Sequence, residues 1–361
     1  MMTPTHSARV PSSLPSSMGR TIALRRGRAQ WLTIALGTIV VLVLPRFLSV
    51  FWIHLANGCL IAIIGAVALN ILSGNARLVS LGQAAFLGIG AFAAGLLQRS
   101  YNVPIPVALA AAAIAGGMVG LVIGLLSMRL RVLYVAVTTL VLHFAVITFF
   151  SFVQAVFLDS SGIILPLPNL GFMELQTPAQ WYYFLLATAT LIVLGALNVL
   201  RSFIGRRWIA VGEHDVAAEA LGISVHWAKL SVFMATSAVV AFAGALSAYY
   251  VGIVSFESYN FGLAIAYLAM IIIGGVGSVL GSILGAIFIT LLPYVLDQMF
   301  LLLDLRIRAN ILAGIHQIMF GSLIVAFLLF EPRGLAEIWR RMRSAVADWP
   351  FRYRSVTRSS R

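Results

Sequence analysis

Charged residues are scarce in this sequence. Only 10% of its 361 residues are Asp, Glu, Lys or Arg, whereas 61% are hydrophobic, and an ordinary soluble domain carries about 25% charged residues. A soluble protein with this composition would have too little polar surface to face water. The composition therefore predicts a protein whose solvent is the lipid bilayer.

Cysteine and lysine occur only once each. The single cysteine, Cys59, excludes a disulfide framework. The single lysine, Lys229, follows Ala228, so it cannot belong to a phosphate-binding loop, which needs Gly-Lys followed by Ser or Thr. The chain is therefore not a conventional ATPase, and no Ser-His-Asp or His-Glu-x-x-His arrangement indicates another catalytic site. We expect no enzyme activity, no metal site and no cofactor.

Long hydrophobic runs fill most of the chain. A helix that crosses the hydrocarbon needs about 20 mostly apolar residues, and inside lipid its backbone must satisfy its own hydrogen bonds. The runs are continuous rather than alternating, which favours helices over a barrel. We predict an all-α polytopic membrane protein of about ten transmembrane helices, some short or glycine-broken, near 31–45, 51–72, 78–98, 104–127, 132–157, 181–200, 229–253, 259–276, 279–301 and 310–330.

Arginine is distributed unevenly between the connecting segments. If the N-terminus is cytoplasmic and ten spans alternate, 20 of the 24 Arg and Lys residues lie on the cytoplasmic side, as the positive-inside rule requires. This predicts a bacterial inner-membrane protein with both termini cytoplasmic. Its parts are a disordered basic tail (1–28), a membrane domain (29–335) and a basic C-terminal tail (336–361). The same topology explains the net charge of +13 without a nucleic-acid partner.

Two glycine-dense segments, one in each half, interrupt the hydrophobic runs. One runs from Ser80 to Gly95 and the other from Gly274 to Gly285. Such segments at corresponding positions are typical of transporters built from repeats, whose solute pathway they line. Small residues also let transmembrane helices pack closely, so both interpretations stay open. The candidate pathway residues are Ser80, Gln83, Thr138, Thr139, His143, Gly274 and Gly275.

Ionisable residues inside spans are functional candidates by default. His143 lies in the middle of a span, where it either faces a polar pathway or hydrogen-bonds a neighbouring helix. The predicted spans contain no acidic residue near their centres, which weakens the case for a proton-coupled carrier.

The most informative connection is the cytoplasmic loop 201–228. Its segment from Glu213 to Gly222 is rich in alanine and glutamate, which predicts a short helix with acids in its first turn and glycine as its stop. Val216, Ala217, Ala220 and Leu221 would share one face. A helix this short is marginal alone and needs a partner surface, which is either the ends of its own spans or another protein.

The loop resembles the coupling loop of branched-chain amino acid importer permeases, in which an acidic cluster precedes Ala-Ala-Glu-Ala-Leu-Gly and a later Lys. Other stretches resemble that family in the same order: Val79–Phe86 with Gly88-x-Gly90-Ala91, Tyr134-x-Ala136-x-x-Thr139-Leu140, Gly274-Gly275-x-Gly277-Ser278-x-x-Gly281 with Gly285-Ala286, and Pro332-x-Gly334-Leu335. The length and the Tyr134 motif are closer to the M-type than to the H-type permease. The sequence departs from the family at Val141–Phe144, where Gly-Phe-x-Glu is frequent, and at Ser282, where proline is common.

The resemblance implies a permease subunit of an ATP-driven ABC importer for a branched-chain amino acid. Its partners would be two cytoplasmic ATPase subunits, a second, H-type permease and a periplasmic binding protein. The residues implied in ATPase coupling are Glu213, His214, Asp215, Ala217, Ala218, Glu219 and Gly222. Urea, short amides and aromatic acids are alternative substrates, and an ion-coupled carrier or a membrane enzyme are alternative functions.

Overall fold

A computed structural model of the chain describes residues 42–127, 132–157, 162–166, 175–302, 309–330 and 334–347. The chain divides into two compact units, Met1–Leu48 and Ser49–Arg361. The described part of the first unit contains a 3₁₀ turn, Leu44–Arg46. The predicted tail 1–28 and most of the first predicted span lie outside the described residues.

The second unit is almost entirely helical, which confirms the predicted fold class. Its described helices are α1 (Val50–Asn70), α2 (Gln83–Tyr101), α3 (Ile105–Ser127), α4 (Val132–Phe157), α5 (Pro178–Arg201), α6 (Phe203–Glu213), α7 (Asp215–Ala220), α8 (Val225–Val251), α9 (Phe261–Gly274), α10 (Val279–Leu302), α11 (Ala309–Phe330) and α12 (Gly334–Ala347). A π-helical turn, Ile71–Asn75, extends α1, and a 3₁₀ turn, Phe256–Tyr259, precedes α9.

Seven helices in the described ranges are long and apolar enough to cross a membrane. They are Val50–Asn75, Ile105–Leu126, Tyr134–Val156, Pro178–Arg201, Val225–Val251, Phe256–Gly274 and Val279–Gln298. Two more predicted spans coincide with α2 and α11. The apolar part of α2 is short because Gln98 and Arg99 lie in its last turn. The count of ten spans stays a prediction.

The ends of the helices follow local sequence rules. Before α5, the hydroxyl of Thr177 accepts a hydrogen bond from the amide of Gln180 at 3.3 Å. The side chain of Gln180 accepts one in return from the amide of Thr177 at 3.0 Å. This reciprocal capping box, followed by Pro178 in the first turn, fixes where the helix begins.

Helix α8 lies at the centre of the unit, packed between α2 and α3. Small residues permit this contact: a Cβ atom on Gly244 would overlap the backbone carbonyl of Leu87, and one on Gly90 would overlap that of Ala241. Side-chain size is therefore restricted from both sides of the α2–α8 contact. Without glycine the two backbones could not approach so closely.

One strand pair connects two of the loops. β1 (Ile163–Ile164) pairs antiparallel with β2 (Ile253–Val254), with Ile163 opposite Val254. This pair lies at one end of the helix bundle, and α6 and α7 lie at the other, which we call the α6–α7 end. Helix α12 packs against α9 and α10 at the α6–α7 end; the sequence did not predict it as a helix.

The close contact between α2 and α8 leads to a testable prediction. We expect Gly244→Ala to lower the stability of the folded protein by about 1–3 kcal/mol, because the added methyl group overpacks the contact. Gly195→Ala is the matched control, since a Cβ atom there meets nothing within 4 Å. The measurement is the thermal unfolding midpoint of both variants in the same detergent. Equal midpoints would show that the close approach is not required.

Candidate functional site

The loop 201–228 folds as two short helices rather than one. The prediction that Glu213 lies in the first turn of the short helix is wrong: Glu213 is the last residue of α6. His214 has extended backbone angles (φ −153°, ψ 105°), and the six-residue helix α7 begins at Asp215. The predicted stop is found where expected, because the helix ends before Gly222, whose φ is +78°.

Helix α6 exists because its sequence is amphipathic. The hydroxyl of Ser202 caps its first turn by accepting from the amide of Gly205 at 3.4 Å. Trp208 and Val211, three residues apart, are buried, while Arg206 and Arg207 are exposed. The indole nitrogen of Trp208 donates to the hydroxyl of Ser231 in α8 at 2.9 Å, so α6 lies against the membrane domain.

Two ion pairs connect this region to the rest of the chain. Arg77, which follows α1, lies 2.6 Å from the carboxylate of Glu213, and both side chains are 57% exposed. Lys229, in the first turns of α8, lies 2.8 Å from Asp215 and is largely buried. The exposed pair contributes about 0–1 kcal/mol. Together they connect the end of α6 to the segment after α1, and the start of α7 to α8.

The outward face of α7 is apolar and uncovered. Val216 and Leu221 are 82% and 81% exposed, whereas Ala218 on the opposite side is 3% exposed. His214, Ala217, Glu219 and Ala220 are also exposed. Of the two partner surfaces left open by the sequence, the ends of the chain's own spans do not cover this face among the described residues. We call Val216, Glu219 and Leu221 the docking patch.

The first glycine segment is held by hydrogen bonds to two helices. Thr139 of α4 accepts a bond from the amide of Leu81 at 3.0 Å, and Gln83 donates to the carbonyl of Gly65 in α1 at 3.0 Å. Ser80 accepts from the amide of Gly82 at 3.4 Å. Ser80, Gln83 and Thr139 are all buried. Gln83 therefore joins α2 to α1, and Thr139 joins the segment before α2 to α4.

The second glycine segment is tied to the end of α1 by one side chain. The amide nitrogen of Asn70 donates to the carbonyl of Ser278 at 2.8 Å and to the hydroxyl of Ser282 at 2.5 Å. Its oxygen accepts from the backbone amide of Gly277 at 2.7 Å. Gly275, with a φ of +120°, begins this turn between α9 and α10. Gly274 is buried beside it, where an added Cβ atom would overlap the carbonyl of Gly281.

Two other candidates lie on α4. The hydroxyl of Thr138 donates a hydrogen bond to the carbonyl of Tyr134, within the same helix, at 2.8 Å. His143 is 1% exposed and lies between Phe144 and Phe261, with ring centroids 5.4 and 5.7 Å away. Its Nδ1 atom has no hydrogen-bond partner among the described residues. The expected bond to a neighbouring helix is thus not made through that atom.

Clefts open between the described helices, and the lining residues of two of them are defined. One, of about 260 Å³, lies between α1, α5, α6 and α8 and is lined almost wholly by apolar side chains such as Val67, Leu191 and Trp208. The other, of about 530 Å³, lies between α1, α8, α9 and α10, away from the α6–α7 end, and includes His54, Tyr250 and Thr290. None of the candidate pathway residues lines either cleft.

Residues 51–328 match the family described as "Branched-chain amino acid transport system / permease component". The chain belongs to this permease family. It is 28% identical over 327 residues to the high-affinity branched-chain amino acid transport system permease protein LivM of Escherichia coli (strain K12). The aligned region covers 82% of this chain and 72% of the relative. No solved structure matches this chain.

Permeases of a second transport system are also similar. The autoinducer 2 import system permease protein LsrC of Enterobacter sp. (strain 638) is 29% identical over 293 residues, covering 77% of this chain and 81% of the relative. This permease is therefore a multi-pass membrane protein of a transport system. The M-type resemblance found in the sequence is in accord with the match to LivM.

Several residues of this permease were missed by sequence reasoning. Arg77 is the one positive residue between the second and third predicted spans, and that isolation was a signal for a partner such as Glu213. Asn57 and Tyr250 carried no such signal, because each is a single polar residue in an apolar run. Their meeting depends on how α1 and α8 pack.

The bonds of Asn70 generate a prediction. We expect Asn70→Leu to raise amide hydrogen exchange at 275–282 and to destabilise the protein by about 1–3 kcal/mol, because the bonds of the buried Asn70 side chain to Gly277, Ser278 and Ser282 are lost. Asn198→Leu is the control, since Asn198 is exposed on α5. Exchange at 275–282 that is the same in both variants would show that Asn70 does not hold this turn.

Proposed function

We propose that this permease is a membrane-spanning subunit of an ATP-driven importer for a small solute, and that α7 is the element through which ATPase subunits move it. The uncovered apolar face of α7 carries this proposal. A water-exposed pair such as Val216 and Leu221, on a helix too short to be stable alone, is typical of a surface that a partner covers.

The three acids of this region have different parts in the proposal. Glu213 and Asp215 already pair with Arg77 and Lys229, so they orient α7 within the subunit. Glu219 makes no ion pair with a described residue and is exposed on the same short helix. We infer that Glu219, with Val216 and Leu221, contacts the ATPase, while the other two acids position the helix and transmit its movement.

The proposed assembly contains two ATPase subunits, a second permease and a periplasmic solute-binding protein, in the inner membrane. Both termini and α7 are cytoplasmic. This orientation is supported by the arginine distribution and by the presence of Arg201, Arg206 and Arg207 at the α6–α7 end. The ATPases supply the energy, because the sequence contains no phosphate-binding loop of its own.

We propose a branched-chain amino acid as the solute, a choice that the similarity to LivM supports. The candidate pathway residues Ser80, Gln83, Thr138, Thr139, His143, Gly274 and Gly275 remain part of this proposal. Gln83 bonds from α2 to α1, and Thr139 of α4 bonds to the segment before α2. We infer that these two residues act as joints of the transport cycle rather than as groups that hold solute.

The docking patch can be tested directly. We expect the double variant Val216→Asp and Leu221→Asp to abolish co-purification of the ATPase subunits, because two charges then replace the apolar contact. The control is Val216→Ile with Leu221→Met, which keeps both positions apolar. Both variants should reach the membrane in equal amounts, since the exposed side chains contribute little to the fold.

Charge reversal at Glu219 tests the part of this residue in docking. Glu219→Lys should weaken ATPase binding by about 1–3 kcal/mol if its carboxylate pairs with the partner, whereas Glu219→Gln should weaken it less. The readout is the affinity of the purified ATPase for the permease in nanodiscs. Full binding by the double aspartate variant would refute the assignment of α7 as the docking element.

A further inference from the structure

Helix α12 begins at the depth where a membrane-spanning helix ends. Its first residue, Gly334, is buried and has a φ of +68°, and an added Cβ atom there would overlap the backbone of Gly275. Gly275 directly follows Gly274, the last residue of a helix that is long and apolar enough to cross a membrane. The start of α12 is therefore fixed near the membrane surface, at the α6–α7 end of the bundle.

One face of α12 is apolar. Leu335, Ile338, Trp339 and Met342 have the spacing i, i+3, i+4 and i+7, which places them on the same side of a helix. Leu335 packs against the hydrophobic core, and Ile338 is half-buried. Trp339 and Met342, further along this face, are exposed. The protein therefore covers the beginning of the apolar face, and no described residue covers its continuation.

The other face of α12 is basic. The side chains of Arg340 and Arg341 are exposed, and both pair with the carboxylate of Glu337 one turn earlier, with Nε of Arg341 at 3.5 Å. One carboxylate serves two guanidinium groups, so these three residues keep a net positive charge. The sequence adds Arg343 to the same helix. The uncovered apolar face thus lies on a helix with excess positive charge.

This combination favours lipid as the surface that covers α12. A helix with tryptophan and aliphatic side chains on one face and arginines on the other lies in the plane of the membrane interface, where tryptophan is enriched. In the proposed topology this interface is the cytoplasmic one, whose anionic headgroups attract arginines near the membrane. An acidic protein would also attract the arginines, but a helix that starts at the depth where a span ends meets lipid first.

We propose that α12 lies in the headgroup layer of the cytoplasmic leaflet, where Trp339 and Met342 enter the lipid and Arg340 and Arg341 bind the phosphates of anionic phospholipids. This inference goes beyond the proposed function, from which it takes only the cytoplasmic orientation. Because Gly334 packs on the turn between α9 and α10, lipid binding by α12 anchors that turn to the membrane surface.

The first experiment measures the depth of α12 in a bilayer. A spin label is attached at Met342→Cys or at Arg340→Cys of the full-length permease, in nanodiscs of phosphatidylcholine and phosphatidylglycerol. The native Cys59 is buried and reacts poorly with the label. We expect the label at position 342 to collide mainly with oxygen, which dissolves in lipid, and the label at position 340 mainly with an aqueous nickel chelate. Equal access of the chelate to both labels would overturn the proposal.

The same labels distinguish lipid from a protein partner. If lipid covers the apolar face, the label at position 342 is protected from the chelate in the permease alone, and added ATPase subunits leave its collision rates unchanged. Protection that requires ATPase subunits would assign the face to a protein and refute the lipid assignment. Since the permease alone suffices for the measurement, failure of the docking patch to bind ATPase subunits would leave this result standing.

The second experiment tests the preference for anionic headgroups. Native mass spectrometry counts the phosphatidylglycerol and phosphatidylcholine molecules that the permease retains after release from mixed nanodiscs. Arg340→Gln with Arg341→Gln should lower the ratio of the two lipids about fivefold for each arginine. Arg340→Lys with Arg341→Lys should retain most of the preference, because the charge is kept.

The matched control removes the same charge from another exposed pair at the same end of the bundle. Arg206→Gln with Arg207→Gln changes α6 and should leave the lipid ratio close to that of the unaltered permease. An equal loss in both glutamine pairs would show a general effect of charge. That result, or an unchanged ratio in the α12 pair, would refute α12 as the site for anionic lipid.

Discussion

The side-chain amide of Asn70 supports the arrangement of the two halves of this permease. The turn between α9 and α10 interrupts helical hydrogen bonding, so its backbone groups need partners from outside the turn. Asn70 supplies them, accepting from Gly277 and donating to Ser278. Its position on the last turn of α1 means that α1 and the α9–α10 turn cannot separate without leaving the buried side chain of Asn70 unpaired.

This constraint makes α1 a mechanical connection along the whole subunit. Toward one end, Gly58 and Gly65 lie against Thr290 and Tyr267 at the cleft. Toward the other, the π-helical turn that extends α1 brings the chain to Arg77, which pairs with Glu213 beside the docking patch. A π-helical turn within a helix is frequently found at functional sites. A path of contacts therefore runs from the cleft to the ion pair beside α7, along α1 and the segment that follows it.

Sequence reasoning recovered the helices because a segment that spans lipid must satisfy its own backbone hydrogen bonds. A run of apolar residues of the right length must be helical, so α1, α4 and α10 begin and end within a few residues of their predicted limits. The break at His214 was not predictable in this way. Residues around it favour helix, and the flanking Glu213 and Asp215 pair with Arg77 and Lys229, contacts that local propensity cannot show.

The cleft was beyond sequence reasoning for a related reason. Its lining comes from four helices, and His54 and Tyr250, which meet there, are 196 residues apart. Sequence reasoning instead selected polar residues near glycines. Of these, Gln83 bonds to the carbonyl of Gly65 in α1, whereas Thr138 bonds within α4. Polar residues in a membrane domain can join two helices or bond within one, and only the packing distinguishes the two uses.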